Sequence, residues 1–250
     1  MTQAVATDRI RCRYTKLGKV RFLGHRDLAR CLDRALRRVG VPVARTQGFT
    51  PRFRLAFGLA LPTGAESVAE YLDIDLEAGA PADLVDLPSA VSAVLPPGVD
   101  ITAVGPLGPH TGSLQSSVTS CTWEVVLPTV DDRTANARIE RVLADAVLVT
   151  TVTRKGVGVR QDLLPDVVRL GVGPPTDDGA VRLELELASA AGEGGRSVRP
   201  GDVVSAIWPD VAEGARHRRT AQWIASDGVR RDPLPVAAAV APHAQRCASC

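Results

Sequence analysis

This sequence has no stretch long and apolar enough to cross a membrane: nowhere do about 18 consecutive apolar residues occur. The opening MTQAVATDRIRC lacks the apolar core of a secretory signal, so the expected location is the cytoplasm. Cysteine is scarce, and its five copies suit reduced thiols better than a disulfide framework. Cys12, Cys31 and Cys121 stand alone at apolar-face positions, as buried free cysteines do, and no CxxxCxxC triplet exists to hold an iron–sulfur cluster. Cys247 and Cys250 form the one CxxC, at the end of an Ala- and Pro-rich tail with no second pair, so they are at most weak metal candidates. Aromatics make up 4% of the chain and the three tryptophans are dispersed, which leaves only Phe49, Phe53 and Phe57 as a candidate stacking platform. No cofactor is implied, because Lys155-Gly156-Val157-Gly158 is too short and wrongly placed to cradle a phosphate.

Positive charge is abundant but unevenly placed. From Asp8 to Leu55 there are fourteen Lys and Arg against three acids, whereas the rest of the chain carries sixteen against twenty-five. A basic block on an acidic body is the electrostatic footprint of a polyanion site, and the preference for Arg suits bidentate contact with phosphate. The same block also fits an Arg-rich composition in which the side chains only solvate a helix face.

The block centres on a helix. Leu28, Cys31, Leu32, Ala35, Leu36 and Val39 recur at one-face spacing, and Gly40 followed by Pro42 supplies the stop. Before it, Arg9 to Tyr14 alternate as a strand with an apolar side and a basic side expected to face solvent, and Val20 to Leu23 reads as a short return. After it, Val41 to Arg45 is extended, 46–51 is a Gly/Pro loop, 52–57 alternates, and 69–76 is a strand whose Glu70, Asp73 and Asp75, with the preceding Glu66, are expected to be its wet face. A second helix is expected from Pro81, interrupted early by Pro88, then a strand over 99–104.

A second half follows the same plan. Strand 121–127 leads to a helix capped by Asp131 or Asp132 and running to about Ala146, with Ala135, Ile139, Val142 and Leu143 inward. Strands over 147–154 and 180–188, a helix over 201–208 and a closing strand over 218–224 complete it. The expected fold is α+β, two tandem ferredoxin-like (split βαβ) units with antiparallel sheets and helices on one face. The expected domains are 8–104 and 118–232, joined by a linker at 105–117 and followed by a flexible tail at 233–250.

Gly24-His25-Arg26-Asp27, Arg34-Ala35-Leu36-Arg37-Arg38, Thr46-Gln47-Gly48-Phe49-Thr50-Pro51, Gly64-Ala65-Glu66-Ser67 and Glu70-Tyr71-Leu72-Asp73-Ile74 occur in that order. In this series the chain resembles the radical-SAM-linked domain family, over roughly residues 9 to 232, with weaker matches at Arg154-Lys155-Gly156, Ser197-Val198-Arg199-Pro200 and Arg219-Thr220-Ala221-Gln222-Trp223. The resemblance implies a radical SAM or RNA-processing partner more than a reaction. Gly24 replaces the family's Ser, and Arg52-Phe53 replaces its second His and Pro, which removes any two-histidine site from the loop. A His opening the first helix of a tandem ferredoxin-like fold is also similar to the CRISPR-repeat endoribonucleases.

These readings converge on a non-catalytic module that binds structured RNA such as tRNA or rRNA. Arg26, Arg30, Arg34, Arg37 and Arg38 are the phosphate contacts, and Gln47, Gly48, Phe49, Arg52 and Arg54 are the loop that meets a nucleotide. Two alternatives stand beside it. One is a metal-independent endoribonuclease using His25, a residue that otherwise caps and orients the helix with Asp27; the other is a protein-interaction module that binds no RNA.

Overall fold

A computed structural model describes residues 9–79, 84–109, 111–154, 157–191, 197–234 and 239–240. The described residues separate into two compact units, one formed by those up to Gln115 together with those from Asp232 onward, the other by those between Ser116 and Arg231. Both are mixed α and β, with open antiparallel sheets and few helices.

The first unit runs β1 (Arg9–Lys16), a 3-10 turn (Gly18–Phe22), α1 (His25–Val39), β2 (Leu55–Phe57), β3 (Glu66–Asp75), α2 (Leu87–Ser92) and β4 (Ile101–Pro106). β1 lies between β3 and β4, and β2 pairs with the far end of β3, all antiparallel. The core forms where the apolar face of α1 (Leu28, Leu32, Ala35, Leu36) meets Leu87 and Val91 of α2 and the sheet face presented by Ile10, Cys12, Leu72 and Ile74. Burying a leucine such as Leu32 or Leu36 contributes about 1.5–3 kcal/mol. Gly40, at φ 77°, ends α1 in the left-handed conformation, and its N–H donates to the Leu36 and Arg37 carbonyls.

Three expectations change here. Val20 to Leu23 is largely within the 3-10 turn rather than a strand, and that turn is anchored where the Gly18 N–H donates to Glu66 Oε1 and the Leu17 N–H to the Gly98 carbonyl. α2 begins at Leu87; Pro88 sits in its first turn, where a missing N–H is not needed, and so does not interrupt it. Residues 81–83 lie outside the described residues.

The largest change concerns charge. Arg11 and Asp73, expected on wet faces, are each about 1% exposed, and Glu70 is buried too. Arg11 faces Asp73 across the β1–β3 ladder and binds it in a fork, Nε to Oδ1 at 2.6 Å and Nη2 to Oδ2 at 2.9 Å. Its remaining Nη1 donates to the Pro233 carbonyl at 2.8 Å. Arg9 joins Asp73 and Asp75, and Arg54 pairs with Asp75 at 2.9 Å. The helix-free face of this sheet is therefore an ion-pair ladder. The same carboxylate helps hold the neighbouring Cys12 thiol out of play: burial first, and Asp73's charge second, push it up to about 12.

The chain returns to cover that ladder. Tyr71 Oη donates to Asp232 Oδ1 at 2.9 Å, Arg13 approaches the same carboxylate, and the chain at 239–240 pairs antiparallel with β4. Within the segment between the two expected domains, β4 extends to Pro106, Leu107 and Leu114 are buried, and α3 (Leu114–Ser117) adds one helical turn.

The second unit contains β5 (Ser120–Leu127), α4 (Asp132–Asp145), β6 (Val149–Arg154), β7 (Val157–Asp162), β8 (Val167–Val172), β9 (Val181–Ala188), α5 (Pro200–Ile207), β10 (Arg216–Ser226) and β11 (Val229–Arg231). β5 is flanked by β10 and β9, β8 pairs with β9, and β6 and β7 form a hairpin of their own. Asp131 is the N-cap of α4, accepting from the Thr134 N–H at 2.9 Å. Ala135 and Ile139 face inward as expected, but Leu143 is half exposed because the inward stripe of α4 ends a turn earlier. Among the described residues, no helix is long and apolar enough to cross a membrane.

Candidate nucleic-acid interface

Arginines recur at steps of three or four along the outward side of α1, with His25, Asp27 and Asp33 beside them. At about 100° per residue, Arg26, Arg30, Arg34, Arg37 and Arg38 span an arc of about 120° opposite the buried leucines. All five are exposed. Their freedom differs, however. Arg37 is held by Asp33 through Nε to Oδ2 at 2.8 Å, a hydrogen bond that raises its already high pKa, and Arg30 meets Asp27 at 3.2 Å. Arg34 folds back along the helix, its Nε donating to the Arg30 carbonyl at 3.3 Å. Among the described residues, Arg26, Arg34 and Arg38 have no carboxylate partner, so they are the members of the stripe whose charge stands uncompensated.

The loop that follows is tied to this helix by an aromatic clamp. Phe53 is half-buried with the guanidinium of Arg37 4.2 Å from its ring centre and that of Arg45 at 5.5 Å. Arg45 and Phe53 also form an antiparallel bridge, above which the Thr46 N–H donates to the Arg52 carbonyl at 2.8 Å and the Arg52 N–H to Thr46 Oγ1 at 3.1 Å. These contacts close the neck of a short loop carrying Gln47, Gly48, Phe49, Thr50 and Pro51. Gln47, Phe49 and Arg52 are exposed, and Phe49 fully so.

The three phenylalanines do not form one platform. Phe53 serves the clamp, and Phe57 packs edge to face on His25, ring centres 4.8 Å apart, fastening the first turn of α1 to β2. Only Phe49 presents an open ring. Arg54, expected in the loop contact, is paired with Asp75. Gly24, not His25 or Asp27, is the N-cap of α1, without any side-chain cap; the Asp27 carboxylate turns to Arg30 instead.

Two residues near the interface carry no motif signal. Arg45 belongs to the clamp through its bridge to Phe53, which the alternation of Val41, Val43 and Arg45 hints at. Lys16 is buried below the helix start, its Nζ donating to the Leu23 carbonyl at 2.8 Å; burial lowers its pKa and the charge of Glu70 opposes that shift. Among the described residues, no group of three or more His, Cys, Asp or Glu is placed to hold a metal, and Cys247 and Cys250 lie outside them.

An α+β protein with a basic helix and an attached aromatic-tipped loop is what these elements define. The chain belongs to a family described as uncharacterized proteins conserved in bacteria (DUF2344), whose model matches residues 9–200 and so includes α1 and the 46–52 loop. No curated protein matches the chain.

Proposed function

We propose that this protein is a cytoplasmic, non-catalytic RNA-binding module that holds structured RNA, tRNA or rRNA, for a radical SAM or RNA-processing partner. The observation that carries the reading is the uncompensated charge of Arg26, Arg34 and Arg38 on one exposed helix face, beside a closed loop with an open aromatic ring. Guanidinium groups spaced along a helix suit phosphates of a nucleic-acid backbone, and such contacts position the ligand without reading its sequence. The radical SAM partner rests on the ordered motifs from Gly24 to Ile74. A tandem ferredoxin-like architecture is part of the same proposal, supported by strand orders β4-β1-β3-β2 in one unit and β10-β5-β9-β8 in the other, each with a helix after its first and third strand in that plan.

The test is fluorescence anisotropy of labelled bulk tRNA with the wild type and with the triple variant Arg26→Glu, Arg34→Glu, Arg38→Glu. The variant keeps the apolar face of α1 and should melt like the wild type. Its affinity should fall by on the order of 100-fold or more, given three lost phosphate contacts and three repulsive charges. Unchanged binding would sink the reading in favour of a protein partner. A parallel incubation in EDTA addresses the nuclease alternative: site-specific cleavage that disappears in His25→Ala would replace the passive module with an enzyme.

A further inference from the structure

We infer that the 46–52 loop is a single-residue stacking finger, so that the RNA recognised is one with an unpaired, outward-turned nucleotide beside a duplex rather than a continuous helix. This rests on the RNA-binding reading above and specifies its ligand. Phe49 has its ring wholly in solvent, at 110% relative exposure, an arrangement in which a large apolar side chain gains nothing from the fold. Yet the loop that carries it is constrained. The neck is closed by reciprocal hydrogen bonds between Thr46 and Arg52, and its base is anchored through Phe53 beneath Arg37 and Arg45. Gly48 supplies a φ of 129° just before Phe49, and Pro51 fixes the backbone just after it. Little loop entropy is then left to lose when the ring meets its ligand.

The surroundings decide the ligand's chemistry. Arg45, Gln47 and Arg52 are all exposed, on the loop that carries the ring or at its neck, so the setting of the ring is cationic and amide-bearing rather than apolar. That setting disfavours an apolar peptide and favours a flat, electron-rich group attached to an anion. An unpaired nucleotide supplies both: its base lies on the phenyl face, Gln47 can donate to and accept from the base edge, and the flanking phosphates face Arg52 and the α1 stripe. In a continuous duplex the base faces are already covered by their neighbours, and Phe49 would find none open.

The experiment compares two labelled RNAs with the same stem, one fully paired and one carrying a three-nucleotide bulge, against wild type, Phe49→Ala and Phe49→Trp. Because Phe49 makes no packing contribution, Phe49→Ala should melt like the wild type. It should lose on the order of 10-fold in affinity for the bulged RNA and stay within about 2-fold for the paired one. Phe49→Trp should restore bulge affinity, with quenching of its indole emission by the bulged RNA alone. An equal loss on both RNAs, or no loss on the bulged one, overturns the finger while leaving RNA binding intact. Failure of the wild type to bind either RNA overturns the RNA reading and the finger together.

Discussion

Arg11 and Asp73 show how one residue pair can invert a reading made from alternation. Both stand in period-two patterns of charged and apolar residues, which normally mark a wet face. The face is dry because residues 232–234, distant in sequence, lie over it and supply the Pro233 carbonyl and the Asp232 carboxylate. Periodicity says which residues share a face but not what covers it. The pair's stability consequence follows from desolvation: removing one partner leaves the other charged and buried. Asp73→Ala should therefore cost about 3–5 kcal/mol in chemical denaturation of the full chain, whereas Arg11→Met with Asp73→Leu should recover much of that loss. A cost for Asp73→Ala below about 1 kcal/mol would mean that water reaches the pair.

At the scale of elements, α1 and α4 were the most legible. The six-residue apolar stripe with Gly40 behind it specifies α1, and Asp131 before Thr134 specifies the start of α4. What the pattern did not disclose is which arginines of α1 are neutralised locally, since Asp27 and Asp33 each take the cation three or four residues on. Phe53 and Arg45 were invisible as a clamp because their partnership needs the chain to turn back across 46–52. The Asp131 cap makes a pH-dependent prediction. Its hydrogen bonds from Thr134, backbone first, lower its pKa below 3.8 in the folded state, so between that lowered value and 3.8 the unfolded chain binds more protons. The cap's stabilisation is then whole above pH 3.8 and fades as pH falls through the folded value. Asp131→Ala should lower the thermal midpoint at neutral pH and do so less once the pH is well below the folded-state value; a constant difference across that range would contradict the assignment.

Over the whole molecule, half of the basic N-terminal block is paired with carboxylates within the fold. Seven of its fourteen cations, Arg9, Arg11, Arg13, Arg21, Arg30, Arg37 and Arg54, meet carboxylates; Arg30 and Arg37 do so within α1, and the other five link separate segments of the first unit. The raw surplus of positive charge thus overstates the field, and the proposed binding rests on the exposed arginines without a carboxylate partner, Arg26, Arg34, Arg38, Arg45 and Arg52. If they hold RNA as proposed, each phosphate neutralised releases condensed counterions, which makes the salt dependence of affinity the most direct measure of the proposed interface. Bulk tRNA titrated with the wild type from low to physiological salt should show log affinity falling against log salt with a slope of about −2 to −4, and the Arg26, Arg34, Arg38 triple Glu variant should make it shallower by about 2, leaving only the share of the loop arginines. A slope that stays equally steep in the triple variant would place the nucleic acid elsewhere, and a flat, weak response in the wild type would contradict RNA binding altogether.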